Sequence, residues 1–338
     1  MKERIILSSS RLGDFKTFNT ILGDNLTGRH FSIIITHVVD LDGLFCGLLA
    51  DRNISIDTII IPLSNSADKW LINCLDHIIE KGIIVDEMYV TDIGLLDETH
   101  RFIGLKFMNT YKLYIDHHSS ALEQQVIIDS IYNKVIINTA YSATVNCFNL
   151  IKEGNGPAVA DLERYVRFVN DRDLWLLQYP QSDRLASLYK IFFFYKMFDY
   201  ICSGEELMDV NGNISDKYDF VLDLEMEKVV SESKRYMSFM KTAVRCKIKF
   251  GYALYTGNNA SDIAEYFRKN KPEMFEDVDV LAFIMNDSIS LRVVSDCGFD
   301  VSAFAKERNG GGHVKAAGYP LNNQDIMIDK FIASLFKY

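Results

Sequence analysis

The stretch YIDHHSS, residues 114–120, places an aspartate and two adjacent histidines directly after a run of residues typical of a β-strand. Neighbouring side chains on a strand point to opposite faces, so one packing role cannot serve both imidazole rings. We therefore expect the strand to end here, which would let both rings reach a single site.

Four apolar, strand-like runs with helix-length segments between them include and precede this stretch. They are FSIIIT (31–36), SIDTIIIPL (55–63), EMYVTDI (87–93) and KLYIDHH (112–118). Apolar strands that alternate with helices predict a parallel β-sheet with helices on both faces. The ligands of such sheets bind at the carboxyl ends of the strands. The predicted fold class is therefore α/β.

Acidic and histidine residues follow three of these strands at the edge where ligands bind. They are His37, Asp40 and Asp42 in THVVDLDG (36–43), Asp92 in TDIG (91–94), and Asp116, His117 and His118. Carboxylate and imidazole ligands without thiolate favour Mn²⁺, Mg²⁺ or Fe²⁺ over a structural zinc ion. The spacing of Asp40 and Asp42 lets each carboxylate reach a different ion, and Asp92 could bridge the two ions.

Each of these pieces alone also has a purely structural interpretation. D-x-D-G is often a turn, an aspartate after a strand is often a helix cap, and paired histidines are often surface or core residues. The segment DRDLW (171–175) adds Asp171 and Asp173, and both are candidates for the same site. The joint occurrence on successive strands favours a site in which two metal ions promote a phosphoryl displacement.

The chain is long enough for two domains. Residues 1–180 are predicted to form the catalytic domain, and residues 181–245 look helical throughout and are predicted to form a linker. Residues 246–338 are predicted to form a smaller α/β domain that contains an antiparallel hairpin at 278–295 and the glycine-rich loop NGGGHVKAAGY at 309–319. The role of residues 1–30 stays open between an extra strand, an interface arm and a regulatory cap.

The composition excludes several classes of function. A net charge of −10 over 338 residues argues against bulk binding to long duplex DNA or to an anionic membrane surface. Six cysteines without a C-x-x-C pair indicate free thiols in a reducing compartment. The sequence shows no secretory signal, and charged residues interrupt its most apolar stretch, 185–203. We therefore expect a cytoplasmic protein.

The same motifs resemble those of the DHH/DHHA1 phosphoesterases, the RecJ-like superfamily. THVVDLDG resembles the first motif, TDIG the second, DHH at 116–118 the signature that names the family, and NDRDLW (170–175) the fourth. GGGHVKAAG at 310–318 resembles the DHHA1 signature. The resemblance covers residues 31 to 320, and within the superfamily the chain is most similar to oligoribonucleases of the nano-RNase B type.

The resemblance implies a role for each candidate site residue of the first domain. His37 and Asp40 would hold a first metal ion, Asp92 would bridge, and Asp42, His117 and Asp173 would hold a second ion. Asp173 is preferred to Asp171 because it forms the D-x-W pattern of the fourth motif. Asp116 would orient a histidine. His118 would face the scissile phosphate, so the two rings would serve different partners.

The resemblance also assigns phosphate-binding residues to the second domain. Gly310, Gly311 and Gly312 would bring backbone N–H groups close to a phosphate. His313 and Lys315 would add positive charge, and Arg292 on ISLRVV (289–294) would point into the same cleft, although a surface arginine is the alternative. Asn309 replaces a glycine of the pattern, which asparagine can do because it tolerates unusual backbone angles.

The predicted function is that of a metal-dependent phosphodiesterase that trims short oligonucleotides through attack of an activated hydroxide, with two divalent ions, Mn²⁺ in preference to Mg²⁺ or Fe²⁺. One alternative is hydrolysis of a cyclic nucleotide, a cyclic dinucleotide or 3′-phosphoadenosine 5′-phosphate, because such enzymes share the metal residues. Another is a catalytically inactive scaffold that binds nucleic acid. A homodimer is compatible with the resemblance, and the sequence leaves substrate length, sugar and polarity open.

Overall fold

The computed structural model describes residues 2–7, 22–64, 67–245, 247–257 and 259–321. The chain divides into two compact units, Met1–Asp219 and Phe220–Tyr338. The boundary between them falls inside the segment 181–245 that the sequence predicts as a linker.

The first unit alternates strands and helices along the chain. Its strands are β1 (Arg4–Ile6), β2 (His30–His37), β3 (Thr58–Leu63), β4 (Ile84–Thr91), β5 (Tyr111–Asp116) and β6 (Lys134–Ile137). Its helices are α1 (Leu41–Asn53), α2 (Asp68–Glu80), α3 (Asp97–Lys106), α4 (Ser119–Glu123), α5 (Gln125–Ile131), α6 (Ala143–Val159), α7 (Glu163–Asp173) and α8 (Pro180–Cys202).

The six strands form one parallel sheet in the order β1-β3-β2-β4-β5-β6. Its central strands are apolar on both sides, as β2 shows. Ile33 and Ile35 pack into one core with α2, α3 and α5, while Ile34 points to the opposite face and is equally buried. Burial on both faces explains the continuous apolar runs in the sequence. The predicted α/β class with a parallel sheet is confirmed.

The strand order creates a crevice at the carboxyl ends of β2 and β4. The chain leaves β2 for β3 on one side and returns to β4 on the other, so these two neighbouring strands flank a topological switch point. Ligands of open parallel sheets bind at such a point. The loops that follow β2, β4 and β5 all lie at this edge.

Residues 2–7 supply an extra edge strand, one of the three roles left open for the N-terminal segment. Strand β1 pairs in parallel with β3. Lys2 and Arg4 form ion pairs of 2.8 and 2.7 Å with the buried carboxylate of Asp51 on α1. Residues 8–21 lie outside the described part of the chain.

The second unit begins with α9 (Asp219–Phe239), whose first residue closes the first unit, and contains a six-stranded mixed sheet. The strands are β7 (Lys241–Arg245), β8 (Ile248–Leu254), β9 (Val280–Ile284), β10 (Ser288–Val293), β11 (Gly311–His313) and β12 (Ala316–Pro320). They lie in the order β11-β12-β10-β9-β8-β7, and β8 and β9 run parallel. Helices α10 (Ala260–Lys269) and α11 (Val301–Lys306) complete the described part. Residues 322–338 of the predicted second domain lie outside it.

Two predictions about local structure are wrong. The segment 181–245 is not helical throughout, because α8 ends at Cys202, α9 begins at Asp219 and residues 241–245 form β7. Gly204 and Gly212, with φ of 84° and 88°, allow the turns that interrupt it. The predicted glycine-rich loop at 309–319 contains β11 and β12. A Cβ atom on Gly310 would lie 2.1 Å from the carbonyl oxygen of Gly318, so glycine permits the close approach of the chain here.

No helix in the described part of the chain is long and apolar enough to cross a membrane.

Candidate metal centre

The loop after β2 folds tightly because of Gly43. A Cβ atom at this position would lie 2.1 Å from the carbonyl oxygen of His37 and 2.8 Å from its Cβ, so only glycine lets the first turn of α1 approach the end of β2 this closely. Asp40 caps α1 by accepting a hydrogen bond from the N–H of Gly43 at 3.2 Å. The turn thereby brings three predicted ligands, His37, Asp40 and Asp42, to one edge of the sheet.

The first group of potential ligands consists of His37, Asp40 and Asp92. Nδ1 of His37 lies 3.2 Å from Oδ2 of Asp40 and 4.0 Å from Oδ2 of Asp92. Burial lowers the pKa of His37, but the charge and hydrogen bond of Asp40 outweigh burial, so the net shift is upward. Burial would raise the pKa of Asp40, but His37 and the N–H of Gly43 hold it well below its usual range.

The second group surrounds the ring of His117. Its Nε2 atom lies 3.6 Å from Oδ2 of Asp42, 3.5 Å from Oδ1 of Asp92 and 3.5 Å from Oδ2 of Asp173. These distances are longer than an ordinary hydrogen bond. Asp92 therefore faces one group with each of its carboxylate oxygens.

The two groups contain the residues that the resemblance to DHH phosphoesterases assigns to two metal ions, and their roles as ligands stay predictions. Asp92 follows β4 with a φ of 54°, a left-handed conformation that is uncommon for residues other than glycine and that aspartate tolerates better than most.

The donors of the cluster fit hard divalent cations. Nε2 of His37, Oδ2 of Asp92 and Oδ2 of Asp173 are buried and have no hydrogen-bond partner among the described residues. Burial, followed by the charges of Asp42 and Asp40, raises the pKa values of Asp92 and Asp173 well above the usual range. Buried carboxylates crowded in this way call for positive charge between them. Oxygen and imidazole donors without a thiolate suit Mn²⁺, Mg²⁺ or Fe²⁺.

Asp42 is anchored by a helix that the sequence analysis did not connect with the site. Its two carboxylate oxygens each accept a hydrogen bond of 2.8 Å, from the N–H groups of Ala143 and Thr144. These amides are in the first turn of α6, where N–H groups lack partners within the helix. Ser142, the N-cap of α6, was the available signal of a helix start, but only the fold places it beside Asp42.

Asp116 orients His118 and lies beside the second group, since its ligand atom is within 4.8 Å of those of Asp92 and His117. The carboxylate is fully buried and lies 2.8 Å from Nδ1 of His118. It also accepts hydrogen bonds from the backbone N–H of His117 at 2.7 Å and the hydroxyl of Tyr114 at 3.0 Å. Burial lowers the pKa of His118, but Asp116 outweighs it and the net shift is upward. No sequence motif marks Tyr114 as a support for this aspartate.

The two aspartates of DRDLW have different surroundings. Asp173 reaches the cluster around His117. Asp171 is buried away from that cluster, and its carboxylate accepts hydrogen bonds from the N–H of Gln178 at 2.8 Å, the N–H of Tyr179 at 3.3 Å and the hydroxyl of Ser182. Only Asp173, the residue preferred from the sequence, lies among the potential ligands.

In the second unit, Arg292 and His313 share one face of the sheet. Arg292 on β10 and His313 on β11 are both paired in register with Ala316 on β12, so their side chains point the same way. The guanidinium of Arg292 donates to the hydroxyls of Ser261 on α10, at 3.1 Å, and Ser290, at 2.9 Å. These contacts hold the guanidinium on the face of the sheet towards α10.

The three glycines at 310–312 have different surroundings. The N–H of Gly310 donates to the carbonyl oxygen of Ala305 at 2.9 Å, so this amide is not available for a ligand. A Cβ atom on Gly311 would meet open space, whereas Gly312 has a φ of 133°. Lys315 is exposed in the turn between β11 and β12. Asn309 adopts a φ of 60°, which asparagine tolerates.

Comparison with known proteins gives one informative match. The chain is 22% identical to oligoribonuclease NrnB of Bacillus subtilis (strain 168) over 313 residues, which cover 88% of this chain and 74% of that protein. No model of a known protein family matches the chain.

Two solved structures can be superposed over most of the chain with low scores. An uncharacterized protein from Helicobacter pylori G27 is 17% identical with a TM-score of 0.44, over 91% of this chain and 99% of the other. The pGpG-specific phosphodiesterase PggH from Vibrio cholerae is 14% identical with a TM-score of 0.48, over 90% and 97%. Scores below 0.5 add no weight to the assignment.

The assignment therefore depends on the motifs, on the parallel-sheet unit and on the match to the B. subtilis protein. DHH lies at the carboxyl end of β5, and the first, second and fourth motifs supply the side chains that gather around it. The motifs of the chain and its similarity to oligoribonuclease NrnB both support a DHH/DHHA1 phosphoesterase.

Proposed function

We propose that this protein is a metal-dependent phosphodiesterase that hydrolyses short oligonucleotides to mononucleotides. The observation that carries the proposal is the position of Asp92, whose two oxygens face two separate groups of potential ligands. A carboxylate between two sets of donors is the arrangement that a two-metal phosphoryl-transfer site requires. The similarity to oligoribonuclease NrnB supports the choice of short oligonucleotides.

Six residues would hold the metal ions, which we propose to be Mn²⁺. They are His37, Asp40 and Asp92 for one ion and Asp42, His117 and Asp173, with Asp92 shared, for the other. Bound divalent ions supply Lewis acidity and lower the pKa of water enough to make it a nucleophile near neutral pH. Asp42, Asp92 and His117 are buried, which strengthens the charge interactions around them, whereas the side chain of Asp40 is 46% exposed.

His118 would hold a proton for the phosphate. Its Nδ1 atom is engaged by Asp116 at 2.8 Å, and the upward shift of its pKa favours the doubly protonated ring. A protonated ring beside the reacting phosphate donates a hydrogen bond to a phosphoryl oxygen as negative charge develops there. Asp116 would therefore act by fixing the orientation and charge of His118.

The second unit would bind the phosphates of the nucleotide. Arg292 and His313 face the same side of the sheet, and the space that a side chain would fill at Gly311 is open. Arginine suits this role because its planar fork of donors matches the oxygens of a phosphate. Gly310 is excluded as an amide donor by its hydrogen bond to Ala305.

The cysteines of the described residues are free thiols, which is typical of proteins in a reducing compartment. Cys46, Cys74, Cys147, Cys202 and Cys297 are free, and Cys246 lies outside the described residues. We propose a cytoplasmic location on this basis.

The first test compares substrates at a fixed metal concentration. Purified protein with Mn²⁺ is given a 5′-labelled RNA dinucleotide, a five-nucleotide RNA, a 24-nucleotide RNA and cyclic di-AMP. The control is Asp92→Asn, because asparagine tolerates the positive φ at this position while its amide removes the shared negative charge. We expect fast cleavage of the shortest RNAs and a loss of at least about 100-fold in the variant.

The outcomes separate the competing functions. If the protein prefers cyclic di-AMP and Asp92→Asn abolishes this cleavage, the proposed substrate is wrong but the proposed metal-dependent mechanism is supported. Equal rates with Mn²⁺, Mg²⁺ or Fe²⁺ would agree with the proposed hydrolase activity but would contradict the proposed preference for Mn²⁺. Binding of RNA without cleavage and without Mn²⁺ uptake would favour the inactive scaffold and contradict the proposal.

The role of the second unit needs its own variant. Arg292→Ala should raise KM for the dinucleotide about 10-fold or more and leave Mn²⁺ binding unchanged. Arg268→Ala is the matched control, because Arg268 lies on α10 and pairs with Glu265 at 3.0 Å. Equal KM values for the two variants would show that Arg292 does not bind substrate.

A further inference from the structure

The carboxylate of Asp171 holds the segment 174–182, which follows α7, through hydrogen bonds. It accepts hydrogen bonds from two consecutive backbone N–H groups, those of Gln178 and Tyr179, and from the hydroxyl of Ser182. Its own carbonyl oxygen accepts the N–H of Leu176 at 2.9 Å. One residue in the last turn of α7 thus ties down the whole connection to α8.

The segment 174–182 contains two residues in a strained backbone conformation. Trp175 and Leu177 have φ of 56° and 54°, a left-handed conformation that is unfavourable for such side chains. The guanidinium of Arg172 lies 4.6 Å from the ring centroid of Trp175 and pairs with Asp183 at 2.9 Å. A backbone held in this conformation must be fixed by surrounding contacts, and the carboxylate of Asp171 supplies three of them.

Asp173 lacks such support. It is in the same last turn of α7, its Oδ2 atom is buried, and that atom has no hydrogen-bond partner among the described residues. The direction of its side chain must therefore be set by the backbone of the turn.

We propose that Asp171 is a positioning residue that fixes the last turn of α7 so that Asp173 points into the candidate metal centre. Asp171 touches neither metal nor substrate and acts through the 174–182 segment. The inference rests on the proposed function, because it gives Asp173 the role of a metal ligand. It also explains why the sequence contains two aspartates two residues apart in this motif.

The experiment measures metal binding directly. Asp171→Asn keeps the size of the side chain but turns a donor towards N–H and O–H groups that need an acceptor. Ser182→Ala is the milder variant, since it removes one donor and leaves the two amides. Free Mn²⁺ is measured by EPR spectroscopy during titration of each protein, and the unfolding temperature is measured in EDTA.

The matched control is Asp68→Asn. Asp68 is also buried and also accepts hydrogen bonds from a backbone N–H, that of Leu96 at 2.9 Å, and from a hydroxyl, that of Thr99 at 2.7 Å. It supports the start of α3 and is not among the potential ligands. A loss of stability alone should therefore appear in this variant without a change in Mn²⁺ affinity.

We expect Asp171→Asn to weaken one Mn²⁺ site about 10- to 100-fold, with a smaller effect of Ser182→Ala. Excess Mn²⁺ should restore the activity of both variants, and KM at saturating Mn²⁺ should be unchanged. If Asp171→Asn does not fold, Ser182→Ala carries the test. Mn²⁺ affinities equal to those of Asp68→Asn would overturn the inference.

Asp173→Asn distinguishes this inference from the proposed function. If Asp173→Asn loses a Mn²⁺ site while Asp171→Asn and Ser182→Ala bind Mn²⁺ normally, the proposed metal centre is supported and the positioning role of Asp171 fails. If Asp173→Asn binds Mn²⁺ as the wild type does, the ligand role fails and the positioning role fails with it.

Discussion

The substitution Asp173→Asn should stabilise the metal-free protein while it weakens the proposed metal site. The potential ligand oxygens of Asp42 and Asp173 and the ring nitrogen of His117 all lie within 4.8 Å of one another. At that separation and an effective dielectric constant of about 20, two unit charges repel by about 3 kcal/mol. Asparagine removes this repulsion and changes the shape of the side chain little.

The free energy of unfolding in EDTA should therefore rise, by an amount that hydration and relaxation reduce to about 1–3 kcal/mol. For a unit of this size each kcal/mol corresponds to about 2–4 °C in the unfolding temperature. With Mn²⁺ at 100 times its dissociation constant, the wild type should gain about 2.7 kcal/mol per site. The variant should gain less, because one site is lost.

The assay is thermal unfolding followed by circular dichroism, in EDTA and in Mn²⁺, for both proteins. The expected result is a reversal of order: the variant unfolds at the higher temperature in EDTA, and the wild type shows the larger increase on addition of Mn²⁺. A variant that is less stable in EDTA and gains as much from Mn²⁺ as the wild type would refute the electrostatic argument.

Three further predictions follow from other parts of the first unit. Gly43→Ala should lower kcat at least about 100-fold at saturating substrate, because its Cβ would lie 2.1 Å from the carbonyl oxygen of His37; unchanged kcat would show that the turn can relax. Burial lowers the pKa of His100 to about 4. The unfolded chain therefore binds a proton between pH 6.5 and 4 that the folded chain does not, and the free energy of unfolding should fall by about 3 kcal/mol on acidification through this range. In urea titrations at pH 7 and pH 5, His100→Phe should lose part of this dependence on pH, and an unchanged difference between the two values would contradict the assignment. Asp51→Ala should cost about 3–5 kcal/mol in urea unfolding, because it leaves the partly buried cations of Lys2 and Arg4 without their partner; a cost below about 1 kcal/mol would show that the edge strand does not depend on this network.

Much of the site could be predicted because its ligands follow strands. The apolar runs determine where β2, β4 and β5 end, and parallel strands deliver the following residues to one edge. The candidate metal ligands His37, Asp92 and His117 could therefore be assembled from local pattern alone. Their roles as ligands are still predictions, which Mn²⁺ titration would test.

Other features depend on distant contacts that a local pattern does not contain. Asp171 and Asp173 are two residues apart on a helix, so their side chains point roughly 200° apart, and the packing of α7 decides which one faces the site. The strands β11 and β12 are rich in glycine and lack the β-branched residues that mark strands, so their pairing depends on the rest of the sheet. The turns at Gly204 and Gly212 interrupt a segment whose apolar spacing is otherwise helical.

Asp42 supports α6 and is also a proposed metal ligand, and this double role determines which variants can test the candidate metal centre. Its carboxylate already accepts the N–H groups of Ala143 and Thr144, and a carboxylate has about four acceptor positions, so capacity for a cation remains. Removal of Asp42 would therefore leave two amides of α6 without acceptors as well as remove a ligand, and a loss of activity could have either cause. Asp173 has a ligand oxygen with no protein partner among the described residues. Its replacement changes the charge of the centre without breaking a helix cap, which is why the stability of Asp173→Asn, with and without Mn²⁺, is the sharper test of whether these side chains evolved to hold metal.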